Sequence, residues 1–197
     1  MTLTTPVRRG DEILLDISDA AFEGKSIARV EGMVVFVDGG VPGDRVRAVV
    51  TKVKKQHAEA RVVAIERPSP LRTDPACAHF GTCGGCRWQH VAYEAQLEFK
   101  QRHVLDSLER IGGLTGFEVV PILGCETPYW YRNKMEYSFA AKEWRTERPT
   151  EGSTEEEGIY LGLHVPKRYD KVLDIGQCHL QSEESNRILA ATRAFAR

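Results

Sequence analysis

Four cysteines offer the clearest chemistry in this chain. Cys77, Cys83 and Cys86 lie in CAHFGTCGGC, spaced C-x5-C-x2-C, and Cys178 follows far downstream in DIGQCHL. Thiolates are soft ligands, and four of them can complete a tetrahedral shell around zinc or hold an iron–sulfur unit. The short C-x2-C step lets two thiolates reach one centre. Gly84 and Gly85 inside it permit unusual backbone angles, and their amides can point at sulfur. The x5 step is wider than the pairing of an ordinary zinc knuckle, whereas a cubane tolerates uneven spacing and one distant ligand. On spacing alone three readings stay open: a [4Fe–4S] cluster, a zinc site (with His79, His90 or His179 as the histidine of a Cys3His shell), and incidental cysteines. Cys125, in ILGCETP, has no sequence partner and reads as a buried core residue. No G-x-G-x-x-G follows a strand and no nucleophile motif is present, so no catalytic residue is assigned.

Composition narrows the setting. The chain has 197 residues, 42% hydrophobic and 28% charged, as expected of an ordinary folded protein. Its apolar runs are too short to cross a bilayer, and MTLTTPVRRGDEI lacks a signal-peptide core. The expectation is a cytoplasmic monomer with neither a membrane nor a DNA partner. In that compartment clustered cysteines serve metals or catalysis more often than disulfides. The net charge of −1 excludes a general polyanion binder, but basic residues concentrate locally. Between Thr51 and Arg72, Lys52, Lys54, Lys55, Arg61, Arg67 and Arg72 face only Glu59 and Glu66. Lys52, Lys54 and Lys55 are therefore candidate phosphate contacts. In PYWYRNK, three aromatics precede Arg132, Asn133 and Lys134, a combination that can stack unpaired RNA bases and hold phosphates. The bland readings are a solvated basic face and a strand-entry loop with core aromatics.

Those residues need elements to hold them. Residues 12–17, 26–30, 33–37, 44–53 and 58–65 read as short strands punctuated by glycine turns, the pattern of a small β-barrel. Arg45, Arg47 and the lysines alternate with Val46, Val49 and Val53, which places these valines inside. Three prolines between Pro68 and Pro75 mark a linker or wrapping segment. Trp88 and Tyr93 flank the cysteine loop and are expected to pack over it. From Tyr93 to Ile111 the period becomes helical, with Leu97, Val104, Leu108 and Ile111 on one stripe and Gly112-Gly113 as the stop. Strands are expected at the end of PYWYRNKMEYSFAAK, at 159–165 and at 171–175, around a polar acidic loop at 142–158. A final helix starts at Ser182 with Ile188, Leu189, Thr192 and Phe195 on one face. It ends without a cap, as if more protein followed.

The pieces in this order resemble the RNA uracil-5-methyltransferase family, in its iron–sulfur 23S rRNA branch. FEGKSIARVEGMVVFVDGGVPGDRVRAVVTKVKKQHAEARVVAIERPSPLR is similar to a TRAM domain, an OB-like RNA-binding β-barrel. CAHFGTCGGCRWQH with Cys178 resembles the branch's [4Fe–4S] ligand set, and YWYRNKMEYSF with IYLGLHVP and VLDIGQCHL resembles its central domain. The resemblance implies a β-rich α+β chain: a TRAM-like barrel at 1–67, a cluster loop at 68–92 and an α+β central domain at 93–197. It implies 23S rRNA as partner and a structural cluster on Cys77, Cys83, Cys86 and Cys178. It also implies a separate Rossmann-like domain, expected beyond Arg197, that binds S-adenosylmethionine and carries a cysteine nucleophile and a glutamate base.

Overall fold

A computed structural model describes residues 5–142, 144, 157–166 and 168–197. Most of the acidic loop expected at 142–158 lies outside them. The chain forms two compact units, Met1–Asp74 with His90–Gly124 and Pro75–Gln89 with Cys125–Arg197.

The first unit is built on six strands: β1 (Glu12–Asp16), β2 (Asp19–Ala20), β3 (Ser26–Val30), β4 (Met33–Asp38), β5 (Arg45–Val53) and β6 (His57–Arg67). They pair in the order β1-β5-β6-β4-β3-β2, antiparallel except for β4 on β6. The expected closed barrel is corrected here. β1 and β2 are the sheet's edges, and β2 has two residues, too few to pair on both sides. Alternation sends Leu15, Ala28, Val35, Val37, Val46, Ala48, Val50, Ala58 and Ala60 into one dry core. Val49 departs from the expected set: it lies opposite Arg61, half-buried on the outer face. A register shift between Val50 and Lys52 then restores the phase, so that Val53 faces Ala58 and packs on the core.

The proline-rich segment is fastened to this sheet. Asp44, with a fully buried side chain, accepts hydrogen bonds from the amides of Val41 (2.7 Å) and Ser69 (2.8 Å). It also accepts from Arg72 Nε (2.8 Å) and Nη2 (2.6 Å). Leu71 and Thr73 then bond through their backbones to Ala92 and His90. The chain therefore leaves the unit after Asp74 and re-enters at His90 with both ends fixed, and the intervening excursion carries three of the cysteines.

Helix α1 (Tyr93–Asp106) continues into a π-helical turn at Ser107–Ile111. The expected stripe packs only in part: Leu97 and Leu108 are half-buried, Val104 and Ile111 are exposed, and the fully buried positions are Ala95 and Phe99. His103, next in this i, i+4 series, stacks on Phe22 and bonds through Nε2 to the Ala20 carbonyl at 2.9 Å.

The second unit holds an antiparallel sheet of β7 (Ser138–Lys142), β8 (Glu157–Val165) and β9 (Arg168–Asp174), followed by helix α2 (Glu183–Ala196). Ser182 caps α2 by accepting from the Ser185 amide at 3.2 Å. Of the expected apolar face only Leu189 is buried; Ile188 and Phe195 are exposed. Polar groups do much of the docking. Arg193 donates to the carbonyls of Leu161 and Ile175 and to Asp174, while Asn186 bonds the backbone around Cys178.

Candidate metal centre

Cys77, Cys83, Cys86 and Cys178 line one pocket of the second unit, a small cavity of about 20 Å³ that is partly open to solvent. Its walls are mainly apolar and include Met135, Leu163, Ile175 and Leu180. Three successive turns shape the loop: Phe80 N donates to Cys77 O, and Thr82 N and Cys83 N both donate to His79 O. The left-handed residue here is Gly81 (φ 86°), which corrects the expectation of unusual angles at Gly84 and Gly85. Gly85 serves differently. Its amide donates to Cys83 Sγ at 3.3 Å, and a Cβ on it would stand 3.4 Å from that sulfur.

Two side chains that the sequence did not single out tie the ligand set together. Gln89 accepts from the Cys77 amide (3.1 Å) and donates Nε2–H to Cys86 Sγ (3.1 Å). Asn186 accepts from the Cys178 amide (2.8 Å) and donates to the carbonyls of Cys178 and Gln181. Such outer partners fix ligand orientation. A glutamine three residues after the C-x2-C step and an asparagine on the first turn of α2 are visible in the sequence, but nothing in their spacing gives their partners.

The thiols bear on one another electrically. Burial raises the Cys83 and Cys86 thiols above their usual range, and the other cysteines' charges raise them further. The Gly85 amide, the Gln89 amide group and the charge of Arg132 act the other way. Burial likewise raises the Tyr137 phenol, helped by Cys178 and Cys83. A cationic centre would take the place of the protons that these raised thiols otherwise keep. Among the described residues, no three His, Cys, Asp or Glu side chains form a group that could hold a metal ion as they stand. The donor set thus fits a soft-metal centre in kind and convergence, without a shell already closed on one ion. His79 and His179 also line the pocket, whereas His90 is buried in the first unit under the influence of Arg72 and Asp44. Trp88 and Tyr93 are not among the lining residues. Cys125 is exposed, not buried, because the extended segment 117–127 that carries it lies mostly at the surface.

The candidate RNA contacts fall in both units. Lys52 lies opposite Glu59 on the outer face, and Lys54 and Lys55 sit in the β5–β6 turn; all three are exposed or half-exposed at the surface of the sheet. None makes an ion pair among the described residues. By contrast Arg45, Arg47 and Arg67 lie beside Asp16, Glu12 and Glu66, and Arg72 is spent on Asp44. In the second unit Arg132 is half-buried, Asn133 is exposed, and Lys134 reaches Glu136 at 2.6 Å.

With this geometry in place, comparison with known proteins separates the units further. Residues 6–63 match the TRAM domain. The six-stranded sheet is therefore the TRAM sheet. An uncharacterized RNA methyltransferase of Porphyromonas gingivalis is 43% identical over 185 residues, covering 92% of this chain and 40% of that protein. Another, from Chlorobaculum tepidum, is 42% identical over 193 residues, covering 96% of this chain and 40% of its own length. The chain is thus homologous to RNA methyltransferases along nearly its whole length and spans about 40% of theirs. The crystal structure of Pyrococcus abyssi tRNA (uracil-54, C5)-methyltransferase in complex with S-adenosyl-L-homocysteine is similar with a TM-score of 0.51. It is 24% identical and covers 93% of this chain and 36% of that one, a likeness of fold. The cysteine pocket lies outside the TRAM match, while Lys52, Lys54 and Lys55 lie within it. No helix among the described residues is long and apolar enough to cross a membrane.

Proposed function

We propose that this chain is the RNA-recognition and iron–sulfur part of an S-adenosylmethionine-dependent RNA (uracil-5-)-methyltransferase that acts on 23S rRNA. One observation carries the reading: all four cysteines of the C-x5-C-x2-C…C pattern line a single pocket, in a chain whose other unit contains a TRAM domain. Cys77, Cys83, Cys86 and Cys178 would hold a [4Fe–4S] cluster in a structural role, with four protein thiolates and no open position. Around one zinc, thiolates stand about 3.8 Å apart, from a Zn–S bond near 2.3 Å in a tetrahedron. A cubane presents four separated corners and so tolerates thiols spaced more widely around one shared pocket.

The TRAM unit would supply phosphate contacts through Lys52, Lys54 and Lys55, and the second unit through Arg132, Asn133 and Lys134. S-adenosylmethionine and the methyl transfer would belong to the portion of the relatives' length that this chain does not span. Iron, acid-labile sulfide and zinc should be measured on anaerobically purified protein. About four irons per chain support the cluster; stoichiometric zinc without iron contradicts it. Binding to 23S rRNA fragments, with tRNA for comparison, should weaken steeply with salt. A salt-independent or absent interaction contradicts the RNA reading, and preference for tRNA contradicts the choice of 23S rRNA.

A further inference from the structure

We infer that Trp130 is a stacking site for one unpaired RNA base, an inference that rests on the RNA reading above and assigns part of the binding to a residue. Trp130 has φ 62°, a left-handed conformation costly for a bulky side chain. Hydrogen bonds on both sides hold it there. Its amide donates to His179 O (2.9 Å), the Arg132 amide donates to Leu180 O (2.8 Å), and Gln181 Nε2 donates to Arg132 O (2.9 Å). Strain of this kind persists where the surroundings over-determine it.

The strained backbone does not bury the indole. Trp130 remains 42% exposed and Tyr131 60% exposed, although their neighbour Tyr129 is half-buried. The indole leans on the His179 ring, with centroids 5.2 Å apart and planes at 41°. Tyr129 meets the same ring edge-on at 6.2 Å. One aromatic is therefore propped and oriented with area left open, the form a base platform takes in single-strand recognition. The cations Arg132 and Lys134 follow closely in sequence, which favours a polyanion over an apolar peptide as occupant. Glu136, paired with Lys134, takes part of that charge. Because His179 adjoins Cys178, the same backbone that presents a cysteine to the pocket also props the indole.

The test uses the full chain, a fluorescein-labelled single-stranded oligouridine, and a duplex RNA of the same length. Trp130→Gly should weaken oligouridine binding roughly tenfold and leave duplex binding unchanged. Trp130→Phe should restore most of the affinity. Since glycine adopts the left-handed conformation freely, the thermal midpoint of Trp130→Gly should not fall. Parental affinity in Trp130→Gly, with oligouridine still bound by the parent, overturns this inference alone. Lost binding in both variants together with a lowered thermal midpoint assigns Trp130 a structural role and overturns it too. If the parent binds neither RNA, the inference and the RNA reading fall together.

Discussion

The TRAM unit and the cysteine unit solve the problem of a core differently. In the first, Leu15, Val35, Val37, Val46, Val50 and their neighbours fill the space over a continuous six-stranded sheet. In the second, the buried cluster among the described residues is Leu161, Ile175, Leu180 and Leu189 with Cys178 among them, and Cys83 and Cys86 pack against it beside Met135, Tyr137, Leu163 and Leu173. Where the first unit places valines, the second places sulfur around a pocket. Among the described residues the second unit's cluster is smaller than the first's, and the proposed metal centre would add stability of the kind structural metal sites supply, on the order of 10 kcal/mol. The contrast teaches that the cysteines stand where a core would otherwise be.

Breaking the second unit should have the largest effect. If the proposed centre is bound, Cys83→Ser is expected to lose it and with it the cooperative transition of the second unit, while the transition of the TRAM unit survives. Calorimetry would resolve the two, and a single unchanged transition would erase the distinction between them. Next is Asp44→Ala, which leaves Arg72 part-buried without its carboxylate and should cost the TRAM unit about 3–5 kcal/mol in denaturant unfolding. A loss below about 1 kcal/mol would show the buried pair to be dispensable.

Acid should also act on the TRAM unit. Burial, reinforced by the positive charge of Arg72, pushes His90 down to about 4. The unfolded chain then binds more protons between about pH 6.5 and 4, so stability is full above 6.5 and falls as pH drops through that window, by on the order of 3 kcal/mol. His90→Gln should flatten this slope. Asp44 adds to the acid sensitivity at lower pH. Burial alone would raise its carboxyl, but Arg72 and the amides of Ser69 and Val41 more than offset that and hold it below 3.8. Its contribution is present above the unfolded value and vanishes as pH falls through the folded one.

The smallest effect on stability belongs to the outer face. Replacing Lys52, Lys54 and Lys55 by alanine should leave both transitions in place. It should lower the salt slope of RNA binding by about 1 for each phosphate that these lysines neutralise in the parent. An unchanged slope would remove these lysines from the interface.

The strands of the TRAM unit are legible in the sequence because alternation and glycine turns act locally: the pattern gives 26–30 to the residue, and 12–17 and 33–37 to within one. The expected set fails at Val49, which the alternation of Val46, Ala48 and Val50 leaves on the outer face before a register shift after Val50 returns Val53 to the core. Local pattern also fails in part on both helices. The apolar stripes include Leu189, which is buried, and Leu97 and Leu108, which are half-buried. They also name Val104, Ile111, Ile188 and Phe195, which stay exposed, while packing adds Ala95 and Phe99, assisted by His103, Asn186 and Arg193. Hydrophobic periodicity cannot see a helix that docks through polar groups. At the site, the cysteine spacing points to a shared centre, and all four thiols do line one pocket. Gln89 and Asn186 stay hidden because a hydrogen bond to sulfur or to a ligand's backbone leaves no sequence period.

Whether the cysteines replace a core is tested most directly by region-resolved hydrogen exchange on the anaerobic protein before and after treatment with a chelator that would strip the proposed metal centre. Segments around residues 77–89 and 159–189 should become unprotected together while strands 45–53 and 57–67 keep their protection. Equal protection of the second unit in both states would contradict such a replacement.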